Sequence, residues 1–249
     1  MIHVQSFKQW AKHGDSHAAR FIRRLHQFRK SIEIPKSVCG LYRPVYRAHR
    51  LVASLYELFI QTTYLTPMFK SQIEGSVKRL NLYGGLPYIS GPLKIKCGDD
   101  CRISGATTFS GRTKSNPAPE LIIGHNVGIG WQTTIAVGTR VVLSDNVRMG
   151  GRNFLAGYPG HPVNADERAR GLSDYDDQAG DIILEKDVWL GTGVMVMAGV
   201  TIGEGTIVAA GSIVTKSLPA NVLAGGSPAK VIKPLMSENP EPEILEFKK

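Results

Sequence analysis

The sequence predicts a mainly β protein: a parallel β-helix of six-residue repeats, preceded by an α-helical segment. Two observations carry this prediction. Apolar residues recur at every sixth position through the C-terminal two-thirds of the chain, a period that neither a helix nor an amphipathic strand produces. Stretches with helical spacing occur in the first 70 residues, of which the first 50 are strongly basic. We therefore divide the chain into a basic helical segment (1–70), a β-helix domain (71–234) and a polar C-terminal tail (235–249).

Fifteen six-residue units share one phase. In a parallel β-helix one short strand and one turn fill six residues, so three units form one triangular turn and fifteen form five coils. The opening residue of each unit is expected to point into the prism. These residues are Cys97, Ile103, Phe109, Ile123, Ile129, Ile135, Leu143, Met149, Leu155, Leu184, Leu190, Val196, Ile202, Val208 and Val214.

Two other places in the unit have expected roles. The fifth place is usually small or β-branched, as at Val127 and Thr133, which fits a second inward position. Glycine in the second or fourth place is expected to supply positive φ at the corners. These glycines are Gly124, Gly130, Gly191, Gly203 and Gly205.

Three breaks interrupt the period. Eight extra residues, 115–122, follow one unit, and two more lie near Val141. The largest break covers residues 161–183, a polar and charged stretch. A rigid solenoid that ejects one long polar loop usually does so for function, so this loop is the first place to look for a site.

The N-terminal segment is predicted to contain two helices. The first covers His17–Ile32 and places Phe21, Leu25 and Phe28 on one stripe among basic residues. The second is expected to follow Pro44 and to end at Pro67, and residues 70–96 form a transition. Two interpretations stay open: the helices cap the first coil or join subunits, or they make a peripheral contact with an anionic membrane through residues 1–70.

Composition narrows the class of protein. Residues 1–50 hold eleven Lys and Arg against Asp15 and Glu33, while the remainder is balanced. No nucleic-acid motif accompanies this charge, so no nucleic-acid partner is expected. Three cysteines give no disulfide framework, and Cys97 and Cys101 fit core positions better than metal ligands. A cytoplasmic location fits, with peripheral attachment at the inner face of the membrane as the open alternative.

Three parts of the sequence resemble the hexapeptide-repeat acyltransferases, whose β-helix is left-handed. They are the late repeats, the run Ala224-Gly-Gly-Ser-Pro-Ala-Lys-Val-Ile232 and the segment Gly160-His-Pro-Val163. The segment that contains His161 is similar to galactoside, maltose and nodulation-factor O-acetyltransferases. Thr66-Pro-Met-Phe-Lys70 and Gly84-Gly-Leu-Pro-Tyr-Ile89 are similar to exopolysaccharide acetyltransferases of the colanic acid type. The resemblance covers about residues 64–234. It implies an acetyl-CoA-dependent transferase, a homotrimer with sites between neighbouring prisms, a glycan or glycan-precursor acceptor, and no metal.

The chemistry points to His161 as the catalytic residue. A hydroxyl must lose its proton as it attacks a thioester, and an imidazole titrates near neutrality and can serve as the base. His161 is the only histidine after His125, and it opens the ejected loop. The resemblance implies direct attack without an acyl-enzyme.

The resemblance also implies residues for the two substrates. The acceptor side would include Trp131, Gln132 and Tyr158; Gln132 stands near the family's oxyanion-site Asn, whose own place is taken by Gly130. The donor side would use small residues beside the pantetheine arm and cations near the phosphates. It would also use an outward tryptophan, for which a subunit contact stays open as the alternative, as it does for Trp131. These donor residues are Trp189, Thr192, Ala210, Gly211, Thr215, Lys216 and Lys230.

Three alternatives to sugar O-acetylation are compatible with a β-helix of this kind. A carbonic anhydrase of this fold needs three histidines for zinc, and the repeats contain only His125 and His161. An amino-sugar N-acetyltransferase or a serine-type O-acetyltransferase stays open, because a histidine base serves amines and hydroxyls alike. A non-catalytic scaffold also stays open, disfavoured by the His161 loop and slightly favoured by Gly130.

Overall fold

The computed structural model of the chain describes residues 2–33 and 35–235, so most of the predicted tail, residues 236–249, lies outside the described part. The chain divides into two compact units, Met1–Glu57 and Leu58–Lys249. The helices are α1 (Ile2–His13), α2 (His17–Ser31), α3 (Lys36–Ile60), α4 (Thr66–Lys70) and α5 (Ala165–Ala169), with a π-helical turn at Gln61–Leu65 and a 3-10 turn at Asp176–Gln178.

The second unit is built from three sheets that the chain visits in turn, until its last two strands both join the first sheet. Sheet 1 contains β1 (Asn81–Tyr83), β4 (Arg102–Ser104), β7 (Gly128–Ile129), β10 (Arg148–Met149), β13 (Trp189–Leu190), β16 (Ile207–Val208), β18 (Val222–Gly226) and β19 (Ala229–Pro234). Sheet 2 contains β2 (Tyr88–Ser90), β5 (Thr108–Gly111), β8 (Thr134–Val137), β11 (Phe154–Ala156), β14 (Met195–Met197) and β17 (Ile213–Val214). Sheet 3 contains β3 (Lys94–Cys97), β6 (Glu120–Ile123), β9 (Arg140–Leu143), β12 (Ile182–Leu184) and β15 (Thr201–Ile202).

Strand pairing confirms the predicted fold class. Every ladder is parallel except the terminal hairpin of β18 and β19. The predicted opening residues are direct register partners: Ile129 pairs with Met149, and Met149 pairs with Leu190. The same stacking joins Ile135 to Leu155 on sheet 2. The inward columns are therefore those that the six-residue period predicts, and they form one continuous buried core.

The glycine prediction was wrong for all four second-place glycines that it named, Gly124, Gly130, Gly191 and Gly203. Of the five glycines named for positive φ, only Gly205 has it. At Gly130 a Cβ would lie 2.5 Å from the Gly150 carbonyl oxygen, so the second place needs glycine because adjacent coils approach closely there. Positive φ occurs instead at the fourth place, which holds polar residues such as Asn126 and Asn146 as well as glycine.

The β-helix extends beyond the five predicted coils. Strands β1 and β2 form an earlier turn within the predicted transition of residues 70–96, with Leu82 stacked below Ile103. Phe69 of α4 covers this end of the core, 6.3 Å from the ring of Phe109 between centroids. α4 therefore contributes an aromatic side chain to the core at this end of the β-helix.

The helices of the N-terminal segment differ from the prediction in their bounds. α2 matches the predicted helix, and Ser16 caps it by accepting a hydrogen bond from the Ala19 amide. α3 begins at Lys36 rather than after Pro44, and the helical path continues past Pro67 to Lys70. Because Pro44 and Gly40 are both exposed, the carbonyl that Pro44 leaves without a helix donor can be hydrated.

The apolar faces of these helices are exposed. On α2 the predicted stripe is open, with Phe21 and Phe28 each 65% exposed. On α3 the exposed apolar residues are Val38, Leu41, Tyr42, Val45, Tyr46, Leu51, Val52, Leu55, Tyr56, Leu58 and Phe59. Within the described ranges, no helix combines the length and apolar character needed to cross a bilayer.

Candidate functional site

Both long excursions leave the β-helix at the same corner. We name the three corners by the sheets they join: corner I joins sheet 1 to sheet 2, corner II joins sheet 2 to sheet 3, and corner III joins sheet 3 to sheet 1. Residues 112–119 leave corner II after β5, and residues 157–181 leave it after β11. The turn between them, after β8, is only residues 138–139. A short turn between two long ones leaves a recess at this corner.

The recess is a polar groove of about 740 Å³. Its lining comes from the first excursion, the start of sheet 3 and the end of the second excursion: Lys94, Arg112, Lys114, Ser115, Asn116, Pro117, Ala118, Glu120, Thr139, Arg140, Asp176 and Asp181. Charges of both signs face it. Such a surface suits a hydrogen-bonding ligand better than an apolar one.

His161 lies at the head of the second excursion, and its side chain is exposed. The strand before it ends at Ala156, and Tyr158 then lies back against the β-helix, with its hydroxyl 3.4 Å from the Ser110 hydroxyl. Gly160 turns the chain with φ +80°, and Pro162 is buried immediately after the histidine. His161 is thus an accessible imidazole between two anchored neighbours.

The excursion continues into the short helix α5. Asn164 caps its start, because the Asn164 side-chain oxygen accepts hydrogen bonds from the amides of Asp166 and Glu167. Gly171, with φ +73°, ends the turn that follows α5. Both ends of this small helix are therefore set by local sequence.

The return leg of the excursion is fixed by a buried ion pair. The Arg112 Nε lies 3.0 Å from Asp174 Oδ1, and each side chain is only 4% exposed. The guanidinium also donates to the Asp174 carbonyl at 3.2 Å and to Asp176 at 2.9 Å. Burial alone would lower the pKa of Arg112, but the hydrogen bonds to the two carboxylates outweigh it and raise that pKa. Arg112 thus stays charged and links the two excursions.

Corner I holds two of the predicted acceptor residues. Trp131 is 46% exposed, and its ring covers Gly151 of the next coil, where an added Cβ would lie 2.7 Å from the indole nitrogen. The Arg152 guanidinium lies 4.7 Å from the Trp131 ring centroid, and its Nε donates to the Gln132 side-chain oxygen at 3.1 Å. Trp131, Gln132 and Arg152 therefore form one polar-aromatic cluster.

The predicted donor residues lie on two corners. Thr192, Ala210 and Gly211 follow one another up corner I, and the Gly211 amide donates to the Thr192 carbonyl. Lys230 pairs in register with Gly225 near the same corner, and Trp189 is 52% exposed on the outer face of sheet 1.

Thr215 and Lys216 instead follow β17 on corner II, two strands along sheet 2 from the strand that leads to His161. At the usual spacing of paired strands this corresponds to about 10 Å. The structure therefore brings His161, Tyr158, Thr215 and Lys216 to one corner. The width of sheet 2 separates them from Trp131, Gln132, Thr192, Ala210, Gly211 and Lys230.

In the ranges 2–33 and 35–235, no three His, Cys, Asp or Glu side chains come together in a group that could hold a metal ion. His125, the other histidine of the repeats, has a structural contact: its Nδ1 accepts a hydrogen bond from the Asp99 amide at 3.1 Å. Cys101 is fully buried, and its thiol contacts the Gly124 carbonyl at 3.1 Å, as expected of a core residue.

Comparison with known proteins agrees with this architecture. Residues 181–216 match the model of the bacterial transferase hexapeptide, described as six repeats. This part of the chain therefore matches the six-residue repeat of that transferase family. The predicted resemblance is confirmed there, in the two late coils that contain Trp189, Thr192, Ala210, Gly211 and Thr215.

Individual relatives of the repeat region extend the match. Galactoside O-acetyltransferase of Escherichia coli is 33% identical over 111 residues, which is 45% of this chain and 52% of the relative. Chloramphenicol acetyltransferase of Klebsiella aerogenes is 28% identical over 189 residues, 75% of this chain and 83% of the relative. The chain spans about half the length of the first curated relatives it matches, between 42% and 58%.

A solved structure shares the fold. The N-acyltransferase AntD from Bacillus cereus, in complex with dTDP and 3-hydroxybutyryl-CoA, superposes with a TM-score of 0.53 at 19% identity. The match covers 69% of this chain and 88% of that protein. It supports the β-helix as a whole, beyond the hexapeptide-transferase repeats of residues 181–216.

Sequence reasoning missed Arg112, Asp174 and Arg152. Arg112 and Asp174 are 62 positions apart, and polar residues in breaks of the repeat are normally solvated, so their burial has no local signature. One signal was available: Asp174 lies in the 161–183 break of the six-residue period, and Arg112 lies just before the 115–122 break. Arg152 could have been found by aligning the repeats. It occupies the same place in its unit as Gln132 does in the unit one coil before it.

Proposed function

We propose that this protein transfers an acetyl group from acetyl-CoA to a sugar hydroxyl, in exopolysaccharide or cell-surface glycan biosynthesis, with His161 as general base. The observation that carries the proposal is the position of His161. Its exposed imidazole stands at the head of the longest excursion of a hexapeptide-repeat β-helix, between the half-buried Tyr158 and the buried Pro162. The similarity to galactoside O-acetyltransferase supports a sugar hydroxyl as the acceptor.

The proposed step is one direct displacement. The His161 imidazole accepts the proton of the acceptor hydroxyl as that oxygen attacks the thioester carbonyl. The tetrahedral intermediate then collapses, the carbon–sulfur bond breaks, and the imidazolium returns the proton to the CoA sulfur. The products are the O-acetyl sugar and CoA with a free thiol, and the enzyme returns to its starting state.

We infer that the complete site forms between copies of the chain. Support comes from the split of the predicted residues between corners I and II. If prisms stand side by side around a threefold axis, corner I of one copy can face corner II of the next. Thr192, Ala210 and Gly211 of one subunit would then hold the pantetheine arm beside His161 of its neighbour.

Mixed trimers test this arrangement. Chains with His161→Ala and chains with Ala210→Trp should each be inactive alone, the second because a bulky side chain blocks the donor groove. Prepared together, they should regain activity only if the base and the donor groove come from different subunits. Absence of any regain in verified mixed trimers would contradict a shared site.

The activity itself is tested by chromatographic measurement of CoA released from acetyl-CoA in the presence of oligosaccharide acceptors. His161→Ala should lower kcat by about 10²- to 10⁴-fold, the usual contribution of a general base. His125→Ala is the matched control, because the His125 imidazole accepts a hydrogen bond from the Asp99 amide, and its own backbone amide, which alanine keeps, donates to the Asp145 carboxylate. It should keep kcat near that of the wild-type protein, and a His161→Ala variant with wild-type rates would remove the assigned role.

The acceptor panel should include two other classes. A histidine base also serves an amine, so amino sugars test the N-acetyltransferase alternative. Chloramphenicol belongs in the panel because of the chloramphenicol acetyltransferase that matches over 189 residues. Preferential turnover of either would replace the sugar hydroxyl as acceptor.

Peripheral membrane contact through residues 1–70 is the further part of the proposal. It is supported by the open apolar stripe of α2 and by the arginines beside it, a combination that favours anionic lipid surfaces. A lipid-linked precursor would give this contact a purpose. The vesicle measurement described in the Discussion tests it.

A further inference from the structure

We propose that Arg112 and Asp174 form a clamp that positions His161, and that Arg112 is a positioning residue of the acetyl transfer. The inference rests on the proposed function of His161. It assigns a role to two residues that have no contact with the imidazole themselves. A continuous set of contacts runs from corner II of an early coil to the head of the second excursion.

The first link is the clamp itself. Arg112 extends from the end of β5, so it is held by the rigid β-helix, and Asp174 belongs to the return leg of the excursion. Arg112 also lies 3.5 Å from the Ser115 hydroxyl, which in turn donates to the Gly138 carbonyl at 2.7 Å. The guanidinium is thus fixed from the β-helix side before it binds the return leg.

Burial makes a purely stabilising role a poor explanation for this pair. Removing two charges from water costs several kcal/mol each, so apolar residues in the same volume are often as stable or more so. The Asp174 Oδ2 is buried without a hydrogen-bond partner among the described residues, which adds to that cost. What an arginine supplies and an apolar side chain does not is a fixed direction for each hydrogen bond.

The second link joins the return leg to α5. Tyr175 follows Asp174 directly, and its hydroxyl donates to the Glu167 carboxylate in the first turn of α5. This hydrogen bond raises the pKa of the Tyr175 phenol, so the hydroxyl keeps the proton that it donates. The Tyr175 amide also donates to the Gln178 side chain, which closes the 3-10 turn behind it.

The third link joins α5 to the catalytic histidine. The Arg168 side chain reaches back and donates to the carbonyls of Pro162, at 3.0 Å, and Val163. Pro162 is the residue directly after His161, and it is buried. The position of the imidazole therefore depends on α5, the position of α5 on the return leg, and the return leg on Arg112.

A second arginine at the same corner provides the matched control. Arg140 pairs with Asp181 at 2.7 Å, at the very end of the excursion, but the two side chains are 49% and 36% exposed, against 4% for each partner of the Arg112 pair. An exposed pair of this kind contributes little. Arg140→Met removes the same charge one coil away and leaves the three links from Arg112 to His161 intact.

The experiment compares Arg112→Met, Arg112→Lys, Asp174→Asn and Arg140→Met in the full-length protein. Order of the excursion is measured by trypsin cleavage after Arg168 and Arg170. Placement of the histidine is measured by the NMR signal of its imidazole, which His161→Ala identifies. Arg112→Met and Asp174→Asn should speed cleavage about tenfold and broaden or split the imidazole signal, whereas Arg140→Met should change neither. Arg112→Lys keeps the charge and covers the case in which Arg112→Met fails to fold.

Kinetics add a test that a merely structural residue would not pass. Misplacing a catalytic group by about 1 Å can cost about 10²-fold, so the clamp variants should lose about 10- to 100-fold in kcat with little change in KM for acetyl-CoA. Unchanged cleavage and an unchanged imidazole signal would overturn the clamp, whatever the activity. Faster cleavage with wild-type kcat would overturn the positioning role. A fully active His161→Ala variant would reject the proposed role of His161. The cleavage and NMR measurements would still test whether Arg112 and Asp174 hold the excursion in place.

Discussion

The two units have equally clear apolar sequence patterns, but the apolar residues are buried in the β-helix and exposed on α2. In the β-helix every predicted inward column is buried, and Leu155 is fully enclosed between Ile135 and Val196. On α2 the predicted stripe is open, with Leu25 57% exposed. In a β-helix each coil packs on the next, so the repeat that predicts an inward residue also predicts the residues that bury it. An apolar stripe on a helix predicts a face to be buried, but it does not identify the surface that buries it.

The largest expected effect is the difference between the same substitution in the two units. Leu155→Ala should lower the free energy of unfolding by about 2–5 kcal/mol, because the stacked neighbours cannot close the cavity. Leu25→Ala should change it by no more than about 0.5 kcal/mol in the absence of lipid. Urea unfolding of both variants measures this contrast. A large loss for Leu25→Ala would show that another copy of the chain already covers the stripe.

The next effect concerns what the α2 stripe binds. Phe28→Glu should weaken binding to vesicles of phosphatidylcholine and phosphatidylserine about tenfold or more, since it removes apolar contact and adds a repelled charge. Gln27→Glu adds the same charge outside the apolar stripe and should weaken binding much less. Cosedimentation at low and physiological salt measures both. Equal binding by wild type and Phe28→Glu would remove the membrane contact.

A smaller effect separates the glycines of the two units. Gly105→Ala should destabilise the β-helix by about 1–3 kcal/mol, because its Cβ would lie 2.0 Å from the backbone of Gly85. Gly40→Ala should stabilise α3 by about 0.5–1 kcal/mol, since that site is open and the residue lies within the helix. Thermal unfolding measures the first and helical circular dichroism the second. Equal responses would contradict the contrast between a close-packed corner and a solvated helix.

The six-residue period predicted the β-helix well because it gives both the length of each repeat and the residue of each repeat that packs inside. It failed for the first coil, whose inward residues Leu82 and Ile89 stand seven apart rather than six. It also misassigned the second-place glycines, since a six-residue period reports where a corner lies and gives no information on how closely the next coil approaches. Pro44 suggested a helix start, but an exposed helix tolerates proline where a packed one would not.

The site was predictable only where local sequence sets it. Gly160, His161 and Pro162 are consecutive, so a short motif captured the histidine at the point where the chain leaves the β-helix. Arg112 meets Asp174 only because both excursions leave corner II, and that meeting depends on which coil each break interrupts. The split of the predicted substrate residues between corners I and II was likewise not predicted. Aligned repeats show which residues are equivalent, but they do not show that sheet 2 separates the two corners in space.

A crystal structure of the protein with bound CoA tests the central claim most directly. The measured quantity is the distance from the His161 imidazole to the CoA sulfur, within the chain and between neighbouring copies. The account predicts that sulfur within a few ångströms of His161, close enough for an acceptor hydroxyl to bridge the two, with the pantetheine arm along Thr192 and Ala210 of an adjacent subunit. A CoA bound elsewhere on the β-helix, with its sulfur remote from every copy of His161, would contradict it.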